Sequence, residues 1–262
     1  MLNTNHPTLQ QALWKKQNGV GLPELMIGIV VGLIILSGTI SLYINTIKNS
    51  SNTLLSTKLN QELSTAMSLM VSDIRRTGYW ANANSGSANP FTVVTSPATN
   101  INVLESLSCI LYSYDHNSDG INNNEIFGFR HVDSDADGSK DSIQILHGTA
   151  TSTEDCNLGN WLELVNSHVI KVDVLNFSTT GSKCINSSDI ALPQWTVSST
   201  PTANSACSDS GAAGYAAPTT GDVLLESRQI TIRLSGHLRQ NPSVSKALEE
   251  TVNIRNDRIV QM

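Results

Sequence analysis

Two acidic loops hold the residues whose types and spacing best suit chemistry. The stronger candidate places carboxylates at Asp133, Asp135, Asp137 and Asp141, with Gly138 at the sixth position of the loop. Calcium in proteins takes about six to eight oxygen ligands, and glycine at this position permits the sharp turn around the ion. Carboxylates crowded this closely repel one another unless a cation or solvent relieves them. The spacing therefore predicts a calcium site.

An earlier loop repeats the pattern with acids and amides; in chain order it is the first acidic loop, and the Asp133 loop is the second. Its candidate ligands are Asp115, Asn117, Asp119 and Asn123. Glu125 or a main-chain carbonyl is available to complete this site. The loop is the weaker of the two calcium candidates, because it holds fewer carboxylates.

Both loops depart from an EF-hand at position 12, where Ile126 and Gln144 replace the glutamate. They resemble the short calcium loops of thrombospondin type 3 repeats. The alternative is that Asp, Asn and Gly only form solvated turns between strands. Calcium would order these loops and would not catalyse a reaction.

The chain holds no motif of a familiar catalytic type. It has no G-x-S-x-G elbow, H-E-x-x-H pair, P-loop or dinucleotide-binding glycine motif. Its six histidines are scattered and no cysteines form a C-x-x-C pair, which gives a zinc or redox site little support. The net charge is −6 and no cluster of Lys and Arg occurs, which argues against direct binding of nucleic acid. We expect a protein that is not an enzyme.

An apolar run at residues 25–44 precedes the loops, with Glu24 at its start. The run is long enough for one helix to cross a bilayer. An ionisable side chain at the edge of such a run marks a functional site by default. Lys15 and Lys16 lie before the run, so the positive-inside rule predicts that everything after it is exported.

The segment Gly-Val-Gly-Leu-Pro-Glu at residues 19–24 resembles the leader junction of type IV pilins and type II secretion pseudopilins. The resemblance implies that prepilin peptidase cuts after Gly19 and methylates Val20 as the new N-terminus. It also implies that Glu24 pairs with the N-terminal amine of a neighbouring subunit. Val20 stands where phenylalanine is usual, and Pro23 where isoleucine or valine is common. The alternative is an uncleaved, single-span anchor.

The apolar run is expected to continue as an amphipathic helix. Apolar residues recur at three- or four-residue spacing, with polar residues between them, as on one face of an amphipathic helix. The residues of this apolar stripe are Leu55, Leu59, Leu63, Met67, Met70 and Ile74. The pattern predicts a helix over residues 23–77 that stops at Gly78.

The end of this helix, Asp-Ile-Arg-Arg-Thr-Gly-Tyr-Trp at residues 73–80, resembles the D-[IL]-R-x-x-G-Y segment of minor pilins of the PilW family. Residues 252–256 resemble the last strand of those proteins. The resemblance is strong over residues 19–80, weak over about the last 35 residues and absent between them. It implies a type IV pilin-like fold, with the second half of the helix packed on a sheet.

Short strand patterns follow the helix, at residues 109–114, 126–129, 142–146 and 169–175. Residues 229–234 alternate apolar and polar side chains, as a half-buried strand does, and are expected to pair in antiparallel fashion with residues 251–255. Stretches 81–100 and 198–220 are rich in small polar residues and predict loops. The predicted fold class is α+β, with one long helix laid across a mostly antiparallel sheet.

Four cysteines lie in the exported part, where oxidation is expected. Four cysteines allow three pairings, and the sequence alone cannot decide between them. We favour Cys109 with Cys156 and Cys184 with Cys207, because sequential pairs close shorter loops.

The expected domains are a leader (residues 1–19), a membrane or filament-core half of the helix (20–48), an amphipathic half (49–80) and an extracytoplasmic, β-rich pilin head (81–262). The predicted function is that of a minor pilin, held in the inner membrane with a periplasmic head and then incorporated at the tip of a type IV pilus.

The expected partners are prepilin peptidase, the inner-membrane assembly machinery, the major pilin, other minor pilins and a tip adhesin of the PilY type. Two alternatives stay open. One is a J-type pseudopilin of a type II secretion system, and the other is a membrane-anchored, calcium-binding or adhesive domain that never polymerises.

Overall fold

A computed structural model of the chain describes residues 19, 21–82, 101–119, 125–147, 150, 152–187, 195–196, 207 and 219–261. The described residues form one helix and twelve strands. The chain divides into two compact units, Met1–Thr53 and Leu54–Met262.

The helix α1 spans Leu22–Ile74. It begins where the Gly21 carbonyl accepts hydrogen bonds from the backbone N–H groups of Glu24 and Leu25. Its last turn tightens, because Arg76 and Thr77 bond to carbonyls only three residues back. Gly78 then adopts a φ of 75°, which favours glycine and ends the helix. The predicted stop at Gly78 thus corresponds to a tight turn that follows Ile74.

In the first unit, every described side chain of α1 is exposed and most are apolar. The helix is long and apolar enough to cross a membrane by length and composition. An apolar surface of this size is stable only in lipid or against other protein surfaces. The feature is consistent with membrane anchoring.

The second unit contains the strands. Their bounds are β1 Asn102–Leu104, β2 Cys109–Ser113, β3 Ile126–Val132, β4 Ser142–His147, β5 Asn160–Glu163, β6 Ile170–Ser178, β7 Lys183–Asn186, β8 Trp195–Thr196, β9 Val223–Ser227, β10 Gln229–Leu238, β11 Asn241–Asn253 and β12 Arg258–Gln261. They form a five-stranded sheet (β1-β2-β3-β4-β5), a three-stranded sheet (β11-β10-β6) and a four-stranded sheet (β12-β9-β7-β8). All pairings are antiparallel.

The predicted pairing of residues 229–234 with the C-terminal strand is confirmed, with Gln229 opposite Asn253 and Thr231 opposite Thr251. β11 is longer than predicted and contains Pro242, which fits because β11 lies at the edge of its sheet. The described strands form three antiparallel sheets, a division that the sequence pattern did not predict. Alternation of apolar residues shows which face of a strand is buried, but it does not show which strand is the neighbour.

The main core lies between the second half of α1 and strands of the second unit. The predicted stripe of α1 is confirmed, because Leu59, Leu63, Met67, Met70 and Ile74 are buried. They belong to one cluster with Tyr112 and Phe129 of the five-stranded sheet and with buried residues of β6 and β10. The α+β, pilin-like layout expected from the sequence is therefore confirmed.

Candidate functional site

The start of α1 carries the residues expected to take part in processing and assembly. Gly19 is exposed, and Val20 lies outside the described residues. Glu24 is also exposed, and its Oε2 atom lies 3.4 Å from the backbone nitrogen of Gly21. This geometry is half of a capping box, in which a carboxylate at the third helical position satisfies a free N–H at the helix start. The long distance makes it a weak contact, so the carboxylate is available to another partner.

The structure brings together three acids at the first loop. Asp115, Asp119 and Glu125 each offer a carboxylate oxygen, and these oxygens lie within 4.8 Å of one another. Asp115 and Glu125 are 1% exposed, whereas Asp119 is exposed to solvent. Burial and the nearby charges of Asp115 and Asp119 raise the pKa of Glu125 above its ordinary value, although a hydrogen bond from the His116 backbone opposes the rise.

Of the two amide ligands predicted for this loop, Asn117 and Asn123, the structure describes Asn117. Asn117 exchanges hydrogen bonds with Asp119: its side-chain amide donates to the carboxylate, and its Oδ1 accepts from the Asp119 backbone. Asn123 lies outside the described residues. Of the two groups suggested to complete the site, the structure places the carboxylate of Glu125 in the cluster.

The second loop also gathers three acids, Asp133, Asp135 and Asp137, within 4.8 Å of one another. These carboxylates already accept bonds from the loop's own backbone. Gly138 N–H donates to Asp133, and Ser139 N–H donates to Asp137, each at 2.7 Å. The loop is therefore stabilised by its own hydrogen bonds, as acidic turns commonly are.

Asp141, predicted as the ninth-position ligand of the second loop, lies outside the group of three acids and shares Arg239 with Asp135. Its backbone pairs with Val132 on one side and Val172 on the other. Its buried carboxylate accepts a hydrogen bond from Ser134 N–H and forms an ion pair with Arg239. Burial alone would raise the pKa of Asp141, but these two partners outweigh it and hold the pKa below its ordinary value. The side chain thus links the loop backbone at Ser134 to Arg239.

The structure contains both sequential disulfides. Cys109 of β2 bonds to Cys156 in the segment between β4 and β5, and Cys184 of β7 bonds to Cys207. Cys109 and Cys156 lie in a second apolar cluster with Leu111. Successive residues of β2 therefore face opposite clusters, which explains why the whole strand is buried.

Sequence reasoning missed the polar group that fixes the end of α1. Asp73 accepts hydrogen bonds from the hydroxyls of Tyr112, at 2.6 Å, and Tyr114, at 2.7 Å. Burial first, and the charge of Asp73 second, raise the pKa of Tyr112 well above 10. Two tyrosines at alternate positions of a predicted strand were the available signal, because they lie on the same face.

A buried charged cluster in the second unit was also missed. Glu226 pairs with Arg258, and both are almost fully buried. Arg228 lies nearby and donates to the Asn256 carbonyl, and burial lowers its pKa to about 10. These residues come from β9, the residue after it and β12, so no local sequence signal groups them.

The fold and these sites define a class, a pilin-like protein with an N-terminal apolar helix and a disulfide-bonded, β-rich second unit. The sequence model of the family "prepilin peptidase-dependent protein B" matches residues 52–254. Because this match covers more than half of the chain, the protein belongs to that family. Comparison with curated proteins and with solved structures gives no match.

Family membership identifies a prepilin-processed, type IV pilus-related protein, a pilin-like component of a pilus or pseudopilus. It also implies interaction with prepilin peptidase and with pilus machinery. The matched residues begin after the apolar half of α1, so the residues around Gly19 and Glu24 are interpreted from their own chemistry.

Proposed function

We propose that the protein is a minor pilin of the PilW type, cleaved after Gly19 and assembled with other minor pilins into the complex that primes a type IV pilus and lies at its tip. The observation that carries this proposal is the fully exposed apolar half of α1, which begins at Glu24. The proposed role is structural and not catalytic.

The exposed apolar half of α1 needs an apolar environment at each stage of this proposal. Before assembly, that environment is the inner membrane, with the second unit in the periplasm. After assembly, the equivalent helices of other subunits replace the lipid. Gly28 and Gly32 present small residues four apart, and such spacing lets helices approach closely.

Glu24 is the proposed assembly contact. Cleavage after Gly19 would create a free amine at Val20, four residues before this carboxylate. The weak contact with Gly21 leaves Glu24 able to pair with the amine of a neighbouring subunit. In an apolar surrounding, an unpaired carboxylate is costly, so the pair would favour the correct register between subunits.

Processing is tested by mass spectrometry of the protein purified from its native membrane. We expect a mature chain that begins with N-methylated Val20. A chain that retains Met1 would reject a filament role and would favour a non-polymerising, membrane-anchored domain.

The assembly role of Glu24 is tested with Glu24→Gln. Glutamine also serves in a capping box, so the substitution keeps the helix start while removing the charge. We expect about a tenfold or greater loss of incorporation into sheared pili, because removing one partner of a buried charge pair costs about 2–5 kcal/mol. Immunoblotting of sheared filaments against membrane fractions measures this.

The control for this experiment is Glu62→Gln, which removes a carboxylate from the same helix beyond the apolar run. It should be incorporated like the wild type. Equal incorporation of the Glu24→Gln and wild-type proteins would contradict the assembly role of the charge.

A deletion strain distinguishes a pilus from a pseudopilus. A minor pilin predicts loss of surface pili, with secretion of folded proteins unchanged. The reverse phenotype would assign the protein to a type II secretion pseudopilus, as a J-type pseudopilin.

A further inference from the structure

Two carboxylate oxygens in the first acidic loop are buried without a hydrogen-bond partner. They are Oδ1 of Asp115 and Oε1 of Glu125. The second oxygen of each group is satisfied: Asp115 Oδ2 accepts from the Ala81 backbone, and Glu125 Oε2 accepts from the His116 backbone. In each carboxylate, one oxygen thus accepts a main-chain hydrogen bond, and the other is buried without a hydrogen-bond partner.

Such oxygens are costly in a folded protein. Burying a charge without a partner is strongly unfavourable, and two like charges side by side increase the cost. Among the ion pairs of the described residues, none involves Asp115 or Glu125. Among the described residues, no Lys or Arg therefore pairs with these two carboxylates, and His116 is the cationic group whose charge acts to lower the pKa of Glu125.

The geometry of the three acids fits a calcium ion. Oxygen ligands lie about 2.3–2.6 Å from calcium, so two ligands of one ion are at most about 5 Å apart. The three carboxylate oxygens of Asp115, Asp119 and Glu125 lie within 4.8 Å of one another. Asp119 is on the solvent side, where water can enter and complete the coordination.

We propose that Asp115, Asp119 and Glu125 bind one calcium ion, with Asp115 Oδ1 and Glu125 Oε1 as its buried ligands. The donors are all hard oxygens, which suit calcium or magnesium and not softer metals. Calcium is favoured because magnesium demands near-ideal octahedral geometry and tends to keep its water. This proposal does not depend on the pilus function.

The ion would strengthen the point where the chain leaves α1. Gly78 N–H donates to the Ser113 carbonyl, and Asp115 N–H donates to the Tyr79 carbonyl, both at 2.9 Å. The Asp115 side chain extends this pairing to Ala81. An ion bound to the free oxygen of Asp115 would fix the carboxylate that anchors residues 79–81 to the end of β2.

The second acidic loop lacks the observation that supports the first. Its three acids are not deeply buried, and none of their oxygens is buried without a partner. The proposal therefore favours the first loop, and the second loop serves as a control.

The test is a calcium titration of the full-length, chelator-treated protein in detergent micelles. Isothermal calorimetry and the melting temperature are the two measurements. We expect saturable binding, with a dissociation constant of about 10⁻⁴–10⁻³ M, as in extracellular calcium modules. Glu125→Gln should weaken this binding about tenfold or more. A magnesium titration should give a smaller rise in melting temperature at equal concentration.

The controls separate a metal ligand from a purely structural carboxylate. The double variant Asp135→Asn with Asp137→Asn should keep the wild-type response. Asp119→Asn, at an exposed position that should not affect folding, should weaken binding in the same direction as Glu125→Gln. In chelator, Glu125→Gln should be as stable as the wild type or more so, because an amide removes the repulsion with Asp115.

Three results would overturn the proposal. One is a wild-type protein with no calcium response. The second is a response lost in the Asp135/Asp137 variant but kept in Glu125→Gln. The third is a calcium response that Glu125→Gln and Asp119→Asn both leave unchanged.

Discussion

At the scale of single residues, Asp73 shows how one polar side chain fixes the end of the long helix. Its two carboxylate oxygens each accept a hydrogen bond from a tyrosine hydroxyl, one from Tyr112 in β2 and one from Tyr114 just after β2. Tyr112 is fully buried, so its hydroxyl has no access to water. Bonds from hydroxyls to an ionised acceptor are stronger than those between neutral groups. The pair therefore joins α1 to the five-stranded sheet.

We predict that Asp73→Ala lowers the free energy of unfolding by about 2–4 kcal/mol, because it leaves a buried tyrosine hydroxyl unsatisfied and removes two charge-assisted bonds. Urea unfolding of the detergent-solubilised protein measures this value. Ser68→Ala, at an exposed site on the same helix, should change it by less than about 0.5 kcal/mol. Similar values for the two variants would show that the tyrosine contacts contribute little.

The acidic residues of the two loops show how far sequence spacing alone can predict metal ligands. Asp141 fits the ligand pattern of the second loop, yet it pairs with Arg239, a residue far along the chain. Glu125 was one of two suggestions for the first loop, and the structure places it beside Asp115. Spacing gives the possible ligands, whereas burial and neighbouring charges decide where each carboxylate lies.

At the scale of elements, β10 is the central strand of the three-stranded sheet. It pairs with β11 on one side and β6 on the other, and Ile230, Ile232 and Leu234 are buried in the main core. The register with β6 shifts between Ser235 and Gly236. At that shift the backbone of β6 approaches closely, and a Cβ atom added to Gly236 would lie 2.7 Å from the Lys171 carbonyl oxygen.

We predict that Gly236→Ala destabilises the protein by about 1–3 kcal/mol, because the backbone of β6 must shift to admit the methyl group. The thermal unfolding curve of the full-length protein measures the effect. Ser235→Ala, the neighbouring position, serves as the matched control and should change stability by about 0.5 kcal/mol or less. If Gly236→Ala and Ser235→Ala have the same melting temperature, the approach of β6 to β10 is looser than the structure indicates.

At the scale of the whole molecule, the disulfides connect parts that the sheets do not join. Cys109 and Cys156 are separated by 47 residues, and the bond ties β2 to the segment before β5. Cross-linking a loop of this length reduces the conformational freedom of the unfolded chain.

We predict that Cys109→Ser with Cys156→Ser lowers the free energy of unfolding by about 2–4 kcal/mol. Urea unfolding under oxidising conditions checks this. Wild-type protein treated with reductant should lose at least as much stability. If the double variant is as stable as the oxidised wild type, the cross-link adds nothing to the stability of the packed core.

The sequence by itself determined the features that repeat over short distances. The stripe from Leu59 to Ile74 identified the packed face of α1, and the alternation in residues 229–234 identified the buried face of β10. The leader-like segment at residues 19–24 and the apolar run after it indicated a pilin-like class. These signals are readable because helices and strands impose fixed periods on their neighbours in the chain.

Only the tertiary structure decided which distant residues meet. It separated the described strands into three sheets, selected one disulfide pairing of three, paired Asp141 with Arg239 and left one buried oxygen of Asp115 and one of Glu125 without a hydrogen-bond partner. Each of these depends on contacts between segments far apart in sequence. Local pattern does not contain that information, because the same alternation of residues is compatible with many neighbours.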